Sequence, residues 1–163
     1  MSENNKTIWS EGMFLGPHHF QQHDRYLEAR LEKRCGPIRP CAWGISQMEI
    51  DSKLLSLGKF GLASCRGVFP DGTPFSIPED DATPTAIDLD TSIRERLLYL
   101  TLPLYRAGSP FAGPEDEPTA TSRYIRAEEE VLDHNAGDST LEIVEVGKLR
   151  LGFSTDPDEL GGF

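Results

Sequence analysis

The chain has 163 residues, 37% apolar and 26% charged, which suits one modest core with loops and tails and is too apolar for a disordered segment. Its formal net charge of −11 repels phosphate backbones and anionic lipid headgroups, so nucleic acid and membrane surfaces are poor partners. No run approaches the ~20 apolar residues of a membrane span, and Met1-Ser-Glu-Asn-Asn-Lys6 lacks a signal peptide's apolar stretch, so a cytoplasmic location is expected.

Residues 1–16 read as an extended N-terminal segment, and Thr7 to Leu15 concentrates apolar and aromatic side chains before any regular element. A stretch of that composition either packs along its own domain or docks on a neighbour. Pro17, at a favoured first helical position, opens a helix predicted over about 17–35 that Gly36-Pro37 ends. Phe20, Leu27 and Leu31 share one of its faces, and Lys33 and Arg34 complement the negative end of its dipole.

Beyond Pro40 short strand-like runs separated by Gly, Pro and Asp predict a sandwich or barrel, so that 17–163 forms one mainly β domain with a leading helix. Runs are expected at Ala42 to Asp51 and about Gly58 to Phe69. Pro70-Asp71-Gly72-Thr73 then supplies a hairpin turn, with Phe75-Ser76-Ile77 returning. The acidic, proline-rich Ile77 to Thr85 reads as an exposed connection leading to Ala86 to Leu89, and Asp90 as the cap of a single turn. The nearly continuous apolar run Leu97 to Leu104 predicts a central strand at the heart of the core. Ala107 to Ala120 reads as a mobile loop, and Tyr124 to Leu132 and Leu141 to Phe153 as two long strands that pair around His134-Asn-Ala-Gly-Asp138.

Chemistry finds little footing. His19 and His23, at i and i+4 on the predicted helix, have metal-ligand spacing, but Phe20 stands where a zincin-type helix needs its glutamate, and the further ligand would have to be His18 or the distant His134. Cys35, Cys41 and Cys65 are odd in number and lack C-x-x-C spacing, which argues for reduced thiols. The carboxylate runs Glu79-Asp80-Asp81 and Glu128-Glu129-Glu130 supply solubility and edge-strand protection, with alternation turning Glu129 away from its neighbours. Phosphate-binding glycine motifs and the G-x-S-x-G elbow are missing. No catalytic residue, cofactor or metal site is therefore expected.

The segment Trp9-Ser-Glu-Gly-Met-Phe-Leu-Gly-Pro-His-His-Phe-Gln-Gln-His-Asp-Arg-Tyr26 resembles the N-terminal signature of the TssK family, also called ImpJ or VasE, of the bacterial type VI secretion system. Similar in order are Trp43-Gly-Ile45, Leu57-Gly-Lys59, Gly67 to Phe75, Leu100 to Leu104, Glu128 to Val131 and Val146 to Leu149. The family commonly carries Gln where His18 and His23 stand, which weakens the metal reading further.

The resemblance implies the N-terminal part of a longer protein, with a β-sandwich like the shoulder domain of phage receptor-binding proteins. It implies a structural adaptor rather than an enzyme, trimeric in full length and assembled at the inner face of the inner membrane. This domain would face the baseplate subunits TssF and TssG, and the C-terminal region the membrane complex. It also marks Trp9, Met13, Phe14, Leu15, Pro17 and Phe20 as a partner-binding element. The alternative is a carbohydrate- or receptor-binding sandwich using Trp43 and Tyr99 as stacking platforms.

Overall fold

The computed structural model describes residues 4–38, 41–89, 97–105, 110–114, 122–133 and 141–155. Strands dominate, with one N-terminal helix of several turns, the mainly β architecture that the turn spacing implies. The described residues divide into two units, one drawn from Met1–Gly44 and Val68–Thr73, the other from Ile45–Gly67 and Pro74–Phe163.

The first unit is built on helix α1, Pro17–Cys35. Gly16 is its N-cap, and the missing cap side chain is replaced by His19, whose Nδ1 accepts from the Gly16 N–H at 3.1 Å. Lys33 and Arg34 occupy the last turn. No residue of α1 is buried, so within this unit the helix relies on caps, polar tethers and half-covered side chains. The turn at Pro70 to Thr73 belongs to the same unit. Gly72 takes φ +88°, and a Cβ there would lie 3.4 Å from Glu32 Cγ, so this corner of the turn is set against the helix.

In the second unit, apart from Gly44 of β1 and Val68 of β3, the elements are β1 (Gly44–Ile50), α2 (Ser52–Ser56), β2 (Lys59–Phe60), β3 (Leu62–Val68), β4 (Pro74–Ile77) and β5 (Ile87–Asp88), then β6 (Tyr99–Thr101), β7 (Ala112–Gly113), β8 (Tyr124–Leu132), β9 (Leu141–Leu149) and β10 (Gly152–Ser154). Among the described residues they form two three-stranded sheets, β1-β3-β4 and β7-β8-β9, and two pairs, β2-β5 and β6-β10. Among the described residues the buried apolar core is Leu62, Cys65, Phe75, Ile77, Leu102 and Leu149.

The predicted hairpin lies between β3 and β4, closed by the Phe69 N–H on the Thr73 carbonyl at 2.8 Å. The run from Gly58 to Phe69, however, is two strands in different sheets. Gly61 is the break: it is buried, and a Cβ on it would fall 2.4 Å from Leu54 Cδ1, so α2 packs directly on the bare backbone where β2 leaves for β5. Helix α2 is itself unforeseen, a single turn whose N–H groups at Lys53 and Leu54 are capped by Asp51 Oδ1 at 2.8 and 3.1 Å.

Two further expectations are corrected. Only Thr101, Leu102 and Pro103 of the run Leu97 to Leu104 are buried; Leu97 is 71% exposed, and β6 pairs with β10 alone among the described residues. Pro103 cannot extend a ladder, and its carbonyl instead accepts from buried Arg123 Nη1 at 3.0 Å. The acidic connection Ile77 to Thr85 is not wholly exposed either. Asp81 is buried, its two carboxylate oxygens accepting from Leu149 N–H at 3.0 Å and Ser76 N–H at 3.1 Å. One side chain thus ties the end of β4 to the end of β9.

The two long strands pair, β8 antiparallel to β9 from Tyr124↔Leu149 to Leu132↔Leu141, but the run expected to continue to Phe153 stops at Leu149, and Gly152–Ser154 is a separate strand that pairs with β6. Glu129 meets Lys148 at 3.0 Å, and Arg126 meets Glu145 at 3.1 Å. The Asp90 cap, most of the Ala107 to Ala120 loop, and His134 lie outside the described residues.

Candidate docking surface

The N-terminal segment is held to the first turns of α1 by three groups spaced along it. The Gln22 side-chain amide donates to the Asn5 carbonyl at 2.7 Å, and the Thr7 hydroxyl donates to the His19 carbonyl at 3.3 Å. Trp9 then lies over the helix, its ring centroid 6.4 Å from His19, 6.2 Å from Phe20 and 5.8 Å from His23. A turn follows, with the Met13 N–H on the Ser10 carbonyl at 3.3 Å and Gly12 at φ +79°.

This anchoring separates the six candidate residues. Trp9 and Phe20 touch each other while each keeps an exposed face. Met13 is half-buried and its sulfur accepts from the Ser10 N–H at 3.4 Å, so it shapes the turn. Pro17 is exposed at the first helical position. Phe14 and Leu15, between the turn and the helix, are 97% and 60% exposed. The sequence reading left out Ile8 and Ile38, which are also exposed in this unit; alternation within a short irregular segment offered no signal for either. Leu27 and Leu31, read as one face of the helix, are exposed as well.

The arrangement offers apolar side chains for contact. Preformed, exposed aromatic and aliphatic side chains on a tethered backbone can enter a partner's pocket at low ordering cost. Among the described residues no group of three or more His, Cys, Asp or Glu side chains is placed to hold a metal ion. His19 uses Nδ1 in the helix cap, and His23 stacks edge-to-face with Trp9. Cys35 and Cys41 are free and exposed, whereas Cys65 is free and fully buried, and burial pushes its thiol above the usual range. No helix among the described residues is long and apolar enough to cross a membrane.

Comparison with known proteins agrees with the sequence resemblance. The family model described as bacterial type VI secretion, VC_A0110, EvfL, ImpJ, VasE, matches residues 19–163. The chain is 44% identical over all 163 residues to the type VI secretion system baseplate component TssK1 of Pseudomonas aeruginosa PAO1, of which it spans 37%. Among solved structures it is similar to a TssK crystal structure, with TM-score 0.84 and 35% identity over 94% of this chain and 35% of that one. It also shares the fold of a chain in the cryo-electron microscopy structure of a TssK–TssF–TssG baseplate subcomplex, with TM-score 0.82 and 24% identity over 94% of this chain and 51% of that one. With residues 19–163 matched by the family model and the full chain aligned to TssK1, this chain belongs to the VasE/ImpJ family of type VI secretion baseplate components, the TssK family.

Proposed function

We propose that the chain is the N-terminal module of a cytoplasmic, non-catalytic adaptor in the type VI secretion baseplate, and that it docks on TssF–TssG through Trp9, Met13, Phe14, Leu15, Pro17 and Phe20. In the longer protein the module sits in a homotrimer, and a C-terminal region reaches the membrane complex. The observation that carries the docking assignment is the pair Phe14 and Leu15, exposed on a segment pinned at Asn5, Thr7 and Trp9. A relative's presence in a TssK–TssF–TssG subcomplex supports the choice of partner. Burying two such side chains is worth roughly 1.5–3 kcal/mol each, enough to set affinity at a small contact.

The test is capture of TssF–TssG by the purified chain and by Phe14→Asp and Leu15→Asp, with circular dichroism confirming that both variants fold. Each carboxylate is expected to weaken capture by about tenfold or more, since it replaces apolar burial with a desolvated charge. Unchanged capture by both folded variants would move the contact elsewhere on the module. Failure of the unmodified chain to bind would remove the partner assignment.

A further inference from the structure

β9 leaves an open edge, and two contacts outside the β8–β9 ladder show which of its backbone groups face outward. The Leu149 N–H donates to Asp81 Oδ1 at 3.0 Å, away from β8. The N–H of its Cα partner Tyr124 donates to the Phe111 carbonyl at 3.2 Å, away from β9. Tyr124 and Leu149 are therefore a non-hydrogen-bonded pair, and strand alternation turns the N–H and C=O groups of Leu141, Ile143, Glu145 and Gly147 outward. Among the described residues no strand pairs with that edge. Ile143 is 68% exposed, and Leu141 and Val144 are exposed beside it. A long, apolar, unpaired edge is a template for another strand.

The sequence of β9 indicates which strand. Read outward from Glu145, Leu141-Glu-Ile-Val-Glu-Val-Gly-Lys-Leu149 is nearly symmetric: Val144 matches Val146, Leu141 matches Leu149, and Glu142 stands where the other direction has Lys148. We infer that β9 pairs antiparallel with β9 of a second copy of this chain, about a twofold axis at Glu145.

In that register each Glu142 faces the other copy's Lys148 in a non-hydrogen-bonded pair, where opposite side chains are closest. No other register of the two strands places Glu142 opposite Lys148. The Lys148 ammonium already holds Glu129 at 3.0 Å, and its three N–H donors allow it to bridge a second carboxylate. Ile143 falls opposite Gly147, where the Tyr124 ring lies 3.1 Å from the site of a missing Cβ. The exposed isoleucine thus gains an aromatic surface in place of a side chain. Glu145 meets its own symmetry mate, a repulsive contact that Arg126, 3.1 Å away in each copy, offsets. Asp81 ends the free edge by occupying the Leu149 N–H.

The pairing is isologous, so it joins two copies and is distinct from the threefold association proposed for the longer protein. A single strand pair is smaller than the ~1,200 Å² of a standard interface, so the dimer is weak.

Sedimentation equilibrium of the chain between about 5 and about 500 μM tests the inference. A monomer–dimer equilibrium is expected, weakened about tenfold or more by Glu142→Lys or by Lys148→Glu and restored when the two are combined, because the symmetry exchanges both charges at once. Glu142→Lys disturbs no ion pair seen within the β8–β9 ribbon. Hydrogen exchange gives a readout that partial unfolding would not imitate: in the dimer the amides of Ile143, Glu145 and Gly147 slow, whereas those of Val144 and Val146, already directed at β8, do not. A monomer across the whole range, single reversals without effect, a folded double variant that stays monomeric, or association that leaves the outward amides unprotected would overturn it.

Discussion

Asp81 shows how much one buried side chain can hold. Its carboxylate is the acceptor for two N–H groups on separate strands, and removing it leaves both donors without that partner. Asp81→Ala is expected to lower stability by about 2–3 kcal/mol, read as a drop in the urea midpoint with the slope unchanged. Nothing in the sequence separates Asp81 from Glu79 and Asp80, because the distinction arises only where β9 arrives 68 residues later. Cys65 makes a second case. Burial raises its thiol above the ordinary 9.0, so near neutral pH it should resist maleimide while Cys35 and Cys41 react in the folded chain. The sign of the pH effect follows from the same shift. Between the unfolded and folded thiol values the native state binds more protons than the unfolded state, so this contribution to stability is complete below about pH 8.5–9 and falls as pH rises further. Cys65→Ala, measured from pH 7 to pH 10, should flatten that part of the decline; an unchanged slope would contradict it.

At the scale of elements, Gly61 determines where one apparent strand becomes two. Gly61→Ala places a methyl group against Leu54 and is expected to cost about 1–3 kcal/mol, with part of the loss recovered in Gly61→Ala/Leu54→Ala, measured by thermal or denaturant unfolding. The elements that the sequence reveals clearly are those specified by neighbours along the chain. Pro17 and Gly36-Pro37 bracket α1, Pro70 to Thr73 closes β3 onto β4, and alternation marks β8 and β9. The elements it hides depend on distant partners. The switch at Gly61 needs α2 and β5, and the short β6 reflects Pro103 and the distant Arg123. The candidate surface follows the same rule. Its composition is visible in Trp9 to Phe20, but the division of labour is not: Trp9 and Phe20 shield each other while Phe14 stays bare because of where the Ser10 to Met13 turn points the chain.

For the whole molecule, the uneven distribution of burial has a functional consequence. Among the described residues the buried apolar side chains all lie in the second unit, whereas α1 buries none and the N-terminal segment keeps its large apolar groups in water. A helix without buried side chains opens at low free energy, so in the free chain the amides of α1 should exchange faster than those of β3, β4 and the Tyr124 to Ala127 half of β8. Docking of Phe14 and Leu15 against TssF–TssG would change that order, because the partner would supply the apolar cover that this unit lacks. Hydrogen exchange on the free chain and on the complex therefore tests both ideas in one experiment. The expected result is rapid exchange across Asn5 to Cys35 in the free chain and slowing concentrated there on binding, with the Leu62 to Ile77 core unchanged. Slowing confined to strands of the second unit would show that the partner binds elsewhere and that the exposed N-terminal surface serves another contact.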